Sequence, residues 1–420
     1  MKSKKSNKWK FLLACATALT VMTACSQTSN NSTGSASATT TTNASTTSTK
    51  TGKNTTYFTD ADYDTSYDES TASKIQLSGS SATVSGDGVA VSGSTVTISK
   101  AGTYVISGQS EGVQIQITAG DSDDVHIVLN GVTMTGDNTP ISATSAKHVY
   151  VTLADGTTNS LSDSSSNSDD SEAVLFSKVD MSINGSGTLN ITANKNNGIK
   201  ANDTLHITGG TYTITAAGDA FNVNDELNIT GTTMTIEAGD DAVKVDNDDD
   251  TSVGTMYLAD NTMTITVGDD GIHASGDLVI DSGTYNVKNS VEGIEGKSVT
   301  INGGDISVYS TDDGVNAANA NANQSEIFFK MTGGTLNVEV GQGDTDPIDS
   351  NGDVIVTGGT INLTGQSGFD FDGTATYTGG DITINGEKQT EIVNSMPGGG
   401  GGGPQEGGSQ GRGGFPGGNR

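Results

Sequence analysis

The run Gly209-Gly210-Thr211-Tyr212-Thr213-Ile214-Thr215-Ala216-Ala217-Gly218-Asp219-Ala220 is one copy of a unit that recurs from about Gly187 to Gly380. Within it, Tyr212-Thr213-Ile214 alternates apolar and polar residues, the period of a half-buried strand. The same alternation returns in Leu205-His206-Ile207, Leu227-Asn228-Ile229, Met234-Thr235-Ile236, Leu278-Val279-Ile280, Val299-Thr300-Ile301 and Ile361-Asn362-Leu363. Glycine pairs such as Gly209-Gly210, Gly303-Gly304, Gly333-Gly334, Gly358-Gly359 and Gly379-Gly380 punctuate the strands, where a turn needs positive φ. Most repeats are about 22 residues long, and Asp246–Gly254 and Ala318–Glu326 read as loop insertions between them. A unit of this length with about three short strands makes one coil of a solenoid whose coils stack about 4.8 Å apart. The expected fold class is all-β: a right-handed parallel β-helix, with irregular capping coils between Lys74 and Ser186.

Composition agrees with a narrow solenoid. Hydrophobic residues make up 32% and aromatics 5% of the 420 residues, enough for a thin apolar column but sparse for a globular core. Disorder would explain the polarity, but disordered chains lack sustained strand alternation.

An acidic residue holds one place in most copies, and Asn197, Asp219, Asp241, Asp270, Glu292, Asp313, Asp346 and Asp370 are read as that column. Two positions later stand Ile199, Phe221, Val243, Ile272, Ile294, Val315 and Ile348, an apolar column that must face inward. Unbroken alternation would bury the acids as well, at high cost for unpaired carboxylates. The acids are therefore expected to project at a corner, with small residues such as Ala220 and Gly271 permitting the turn. Stacked carboxylates about 5 Å apart repel by roughly 1 kcal/mol per pair even at the dielectric of water, so a counter-charge is expected.

Clustered carboxylates without cysteine or histidine ligand spacing suit calcium, which takes six to eight oxygen ligands. The expected ligands are Asp219, Asp240, Asp241, Asp269, Asp270, Asp312 and Asp313, with Asp246–Asp250 and Asp344–Asp353 as secondary candidates. The first of these is not an EF-hand loop, since Tyr257 stands where the twelfth-position glutamate belongs. His126, His148, His206 and His273 show no zinc spacing. The alternative is a solvated acidic edge that only discourages association. Scattered acids such as Asp60 to Glu69 are read as solubilising.

The formal charge of −30, more negative still once the basic N-terminus is removed, excludes nucleic acid and anionic membrane surfaces as partners. Five lysines within Met1–Lys10, then apolar Phe11–Val21 and Met22-Thr23-Ala24-Cys25, resemble a bacterial lipoprotein signal. That resemblance implies cleavage after residue 24, a lipid on Cys25 and anchorage on the extracellular face of the cell membrane, the chain's only membrane contact. An ordinary secretory signal is the alternative. Residues 25–70 read as a Ser/Thr-rich tether, 71–395 as the β-helix and 396–420 as a Gly-rich disordered tail. A monomer is expected.

The repeat, its acidic corner, and the segments Ile127-Val128-Leu129-Asn130-Gly131-Val132, Leu175-Phe176-Ser177-Lys178 and Ile183-Asn184-Gly185-Ser186-Gly187-Thr188-Leu189 resemble a bacterial family of secreted carbohydrate-binding parallel β-helices over residues 71–395. That family is similar in architecture to calcium-dependent family-nine pectate lyases. The resemblance implies binding of acidic, pectin-like or cellulose-like polysaccharide, with the doubled aspartates Asp240-Asp241 and Asp269-Asp270 at a calcium corner. Two readings stay open, beside a purely structural or adhesive cell-wall role. As a binding module the chain holds uronates through calcium and neutral glycans along its flat face. As a lyase it needs a base, and the lysines beside the corner are Lys244 and Lys200. Flanking carboxylates favour a charged lysine, which assigns Lys244 to neutralising the acids. Trp9 lies in the signal, so the mature chain has no tryptophan platform, and Tyr212, Tyr285 and Tyr309 are read as core or face residues.

Overall fold

The structure is a computed structural model that describes residues 54–394 except 170, 172, 248, 249, 251 and 344. The signal, Cys25, the first part of the tether and the tail from residue 395 lie outside the described residues. So do Asp248, Asp249 and Asp344 of the secondary calcium candidates.

Each coil carries strands on three faces. In one coil these are Thr204–Thr208, Thr211–Ala216 and Phe221–Val223; in the next they are Glu226–Thr230, Thr233–Ala238 and Val243–Val245. Each of these strands pairs in parallel, in register, with its counterpart in the next coil, so like positions stack. The alternation places one residue of each pair inside. On the first face Leu205, Leu227, Leu278 and Val299 form a column, and on the third Ile199, Phe221, Val243, Ile272, Ile294 and Val315 form another, all fully buried. Each such side chain contributes about 1.5–3 kcal/mol by leaving water. Stability therefore accumulates coil by coil along a thin core.

The glycine pairs join first-face strands to second-face strands rather than ending the latter. Positive φ is confined to the second member in Gly304 (98°), Gly334 (81°), Gly359 (89°) and Gly380 (92°). The first member is needed for space: a Cβ on Gly358 would stand 2.3 Å from the Thr332 carbonyl oxygen of the previous coil. Asp246–Gly254 and Ala318–Glu326 interrupt the coils between strands as expected.

The ends are closed by antiparallel pairs. Ser73–Gly79 pairs with Ser81–Ser85 and Val89–Ser92 with Thr95–Ile98 at the N-terminal end, and Glu387–Lys388 folds back on Ala375–Ile384 at the other. These hairpins occupy strand edges that would otherwise template association.

One boundary is corrected. Residues 54–70, assigned to the tether, are a strap along the first face, so the folded part begins near Asn54. Tyr57 stacks on Tyr257 with ring centroids 3.7 Å apart, and Phe58 is buried against Tyr257 and Ala259. Asn228 Nδ2 donates to the Tyr57 carbonyl (2.9 Å), and Asn184 Nδ2 to the carbonyls of Asp62 (3.2 Å) and Asp64 (3.1 Å). Further on, Tyr67 packs against Val105, Val128 and Ala154. The reading of Asp60 to Glu69 as merely solubilising fails for Asp62, which is 2% exposed. Its carboxylate accepts from Ser182 Oγ (2.5 Å) and lies 3.1 Å from His206 Nδ1. The strap has no strand period, because its partners are side chains of distant coils and not a neighbouring strand.

Candidate functional site: an acidic corner beside a threonine face

The turns from the second face to the third carry the acids. The Asp column is tucked inward, not projecting: Asp241 is 1% exposed and Asp219 8%. What makes burial tolerable is a ladder of backbone donors. The Asn197 Oδ1 accepts the N–H of Asp219 (3.1 Å), Asp219 Oδ1 that of Asp241 (3.0 Å), Asp241 Oδ1 that of Asp270 (2.8 Å) and Asp270 Oδ1 that of Glu292 (3.1 Å). Asp313 Oδ1 repeats the contact with the N–H of Asp346 (2.8 Å). Hydrogen bonds to a charged acceptor are the strong kind, so each rung both satisfies a carboxylate and ties successive coils. Glu292, one methylene longer, breaks the pattern and accepts instead from Asn316 Nδ2 (2.9 Å).

The second carboxylate oxygen faces the column three residues later, which runs Lys200, Asn222, Lys244, His273, Glu295, Asn316, Asp349 and Asp370. Asp370 is thereby corrected: it stacks on Asp349, and Ser367, two residues before Phe369, takes the acidic place, donating to Asp346 Oδ1. The sequence misplaced it because the preceding turn, Gly365–Gly368, departs from the repeat. In this outer column the protein supplies its own counter-charges. Asn222 Nδ2 donates to Asp219 (2.6 Å), Lys244 Nζ to Asp241 Oδ2 (2.9 Å), and His273 Nδ1 lies 3.3 Å from Asp270 Oδ2 and 2.5 Å from Glu295 Oε2. Burial would lower Lys244, but the hydrogen bond to Asp241 and the charges of Asp241, Asp219 and Asp246 hold it above the ordinary lysine range. His273 likewise overcomes burial through Asp270 and Glu295 and is raised to about 10. The i, i+3 spacing of Asp219/Asn222, Asp241/Lys244 and Asp270/His273 was the legible signal for these pairs.

Further along, negative charge accumulates. Glu292 is raised to about 8 by burial and then by Glu295. Asp349 is raised to about 7 by burial and by Asp313, Asp370 and Asp346, and Asp313 to about 6 by burial and the charges of Asp312, Asp346 and Asp370.

Of the seven expected calcium ligands the fold brings three together: carboxylate oxygens of Asp241, Asp269 and Asp270 lie within 4.8 Å of one another. That spread matches oxygens around one ion at 2.3–2.6 Å, and the donor set is all hard oxygen, so these residues fit calcium. Asp269 is exposed and raised by burial and by the charges of Asp270 and Asp241, so the group carries negative charge that Lys244 does not offset in full. Asp240 is exposed beside it and outside the group. Asp219 lies outside the group, and Asp312 and Asp313 stand two coils away, about 10 Å. Lys200 lies two coils before Lys244, away from the group. A second group, Asp270, His273 and Glu295, is accounted for by the protonated histidine between two carboxylates.

Beside this corner the second face is flat and hydroxyl-rich. Thr211, Thr233, Thr262 and Thr284 stack in one outward column, and Thr213, Thr235, Thr264 and Asn286 in the next. Tyr212 and Tyr285 are buried as expected, while Tyr309 is 38% exposed on this face. Among the described residues no helix is long and apolar enough to cross a membrane.

A family model described as carbohydrate-binding domain-containing protein matches residues 92–346 and 269–396. A carbohydrate-binding domain-containing protein of Acetivibrio thermocellus is 35% identical over 137 residues, 31% of this chain and 48% of that protein, so the match spans about half of the relative's length. A solved structure, titled as the polysaccharide lyase-like protein from C. thermocellum in a gadolinium derivative, aligns with a TM-score of 0.42 at 24% identity, over 78% of this chain and 98% of that one. With more than half of its length matched by the family model, the chain belongs to the family of carbohydrate-binding domain-containing proteins.

Proposed function

We propose that the protein is a surface lipoprotein that binds acidic, pectin-like polysaccharide through calcium and does not cleave it. The observation that carries this reading is the convergence of Asp241, Asp269 and Asp270 at the edge of an open face, in a chain of a carbohydrate-binding family. Calcium, when bound there, supplies a positive charge that a uronate carboxylate can share. Asp269 offers its exposed carboxylate, while Asp241 and Asp270 are held in place by their rungs and by Lys244 and His273. The lyase reading needs Lys244 as a neutral base, and Asp241 holds its proton.

Retention on polygalacturonate is expected to require calcium and to fall at least tenfold in Asp269→Asn, with Asp240→Asn close to the parent. Calcium-independent retention, or an unchanged Asp269→Asn, would overturn the calcium corner. Sustained ultraviolet absorbance from unsaturated product, abolished by Lys244→Ala, would establish a lyase instead. Anchorage rests on Cys25 in the sequence. Cys25→Ser is expected to shift the protein from the membrane fraction to the medium or to leave it unprocessed, and an unchanged distribution would count against the lipid.

A further inference from the structure

We propose that Tyr57 and Tyr257 form an oxidative cross-linking site, at which a haem peroxidase with hydrogen peroxide joins the strap to the solenoid as an ortho-linked dityrosine. The inference is independent of the glycan-binding reading and uses residues on another face of the coil.

The way the two rings meet is unusual. Tyr57, on the strap, and Tyr257, on the first face, stack with centroids 3.7 Å apart and planes 12° from parallel. Closed-shell rings avoid so direct a sandwich, because their negative faces repel, and settle about 4.5–7 Å apart in offset or edge-on pairs. Phe58 meets the same Tyr257 in that ordinary way, edge-on at 6.1 Å and 72°. Face-to-face overlap brings the ring carbons of two phenols together, which is the arrangement from which two phenoxyl radicals couple.

The surroundings favour removal of an electron. Burial, and then the charges of Asp281, Asp277 and Glu226, raise the Tyr57 phenol above its ordinary value. The same negative groups that oppose a phenolate stabilise a ring that has lost an electron. A neutral phenol must lose its proton with the electron, and a base is in place: the Tyr257 hydroxyl donates to Asp281 Oδ2 at 2.8 Å. Asn54 Nδ2 donates to that hydroxyl oxygen (2.8 Å) and so helps to aim it at the carboxylate. Tyr104, Tyr212 and Tyr285 donate instead to backbone carbonyls, which take up no proton. Tyr257 is 2% exposed and Tyr57 half-buried, so the oxidant meets Tyr57 and the stack carries oxidation inward. Each phenol gives up one electron and one proton, that of Tyr257 passing to Asp281 and that of Tyr57 to water. An ortho carbon of one ring bonds to an ortho carbon of the other, and the hydrogens on those carbons move to the phenolic oxygens. Through the peroxidase, one hydrogen peroxide takes up the two electrons and two protons and leaves as two waters. The product fixes the start of the strap to the solenoid by a covalent bond.

The test treats the full chain, kept dilute, with a haem peroxidase and hydrogen peroxide. The expected product is a single chain, lighter by two hydrogens, with dityrosine fluorescence and a tryptic species that joins residues 54–74 to 245–288. Tyr57→Phe and Tyr257→Phe, whose rings can still stack, should each lose that species. Amide exchange over residues 56–67 should stay at the parent rate in both, which separates lost chemistry from a lost strap. Asp281→Asn, which removes the base but can still accept the Tyr257 hydrogen bond, should slow formation roughly tenfold or more. Tyr309→Phe, which alters an exposed ring of another face, should react as the parent does. Absence of the joined species, its persistence in either phenylalanine variant, or cross-links formed only between chains overturns the inference. A parent rate in Asp281→Asn overturns the part given to that carboxylate.

Discussion

Asp62→Ala is expected to release the strap from the first face at a cost of about 3 kcal/mol, because it leaves a mostly buried imidazolium without its nearer carboxylate. The figure sits at the low end for a broken buried pair, since Glu226 still lies 3.4 Å from His206 Nε2. Amide exchange along residues 56–67 should then accelerate about a hundredfold while the coils stay protected, as a local opening requires. Less than a threefold change would show that the aromatic contacts of Tyr57 and Phe58 hold the strap without the ion pair. The docked strap of the parent should also respond to pH. Serine, threonine backbone and histidine contacts hold Asp62 well below its ordinary value of 3.8 despite its burial, so its contribution is present above that value and is lost as pH falls. For His206 burial pulls down, but Asp62 and Glu226 raise it from 6.5 to about 9, so its contribution is full below 6.5 and is lost as pH rises through 9. Strap protection is therefore greatest between about pH 4 and 6.5. Glu292, Asp313 and Asp349 are raised from their ordinary carboxylate values to about 8, 6 and 7, so solenoid stability is lost separately as pH rises from about 4 to 8.

Gly268→Ala is the second large effect. The residue has no positive φ, so its need is for space: an added Cβ would stand 2.0 Å from the Gly239 carbonyl oxygen, just as one on Gly239 would stand 2.1 Å from that of Ala217. The obstacle is backbone, which cannot rotate away as a side chain can. Separating the coils there would strain the rungs from Asp241 to Asp270 and onward to Glu292. A loss of about 3 kcal/mol or more is expected, above the ordinary range for an extra methyl in a packed interior. Gly120→Ala, whose Cβ would meet the Asp123 side chain at 3.2 Å, is the near-neutral comparison. Denaturant midpoints of the two variants decide the matter, and a Gly268→Ala loss below about 1 kcal/mol would mean that the coils yield easily.

The period-two runs and the glycine-marked repeat were enough to place the strands, the three-faced coil and the inward column from Ile199 to Ile348. Each of those assignments depends on neighbours within one repeat, and parallel stacking then copies it from coil to coil. The same logic put Lys244 beside its acid, since three residues separate the pair in the chain.

What sequence could not reach was set by contacts between coils or across them. Local alternation made a buried carboxylate column look too costly, and the backbone N–H groups that stabilise Asp219 and Asp241 belong to the following coil, 22 and 29 residues on. Asp62 meets His206 across 144 positions of chain, with no periodicity to announce it. The repeating sequence thus determined a solenoid and which side chains face outward. Tertiary structure alone decided which carboxylates accept backbone donors and which three converge, because hydrogen bonding and burial depend on the neighbouring coil and not on the residue's own repeat.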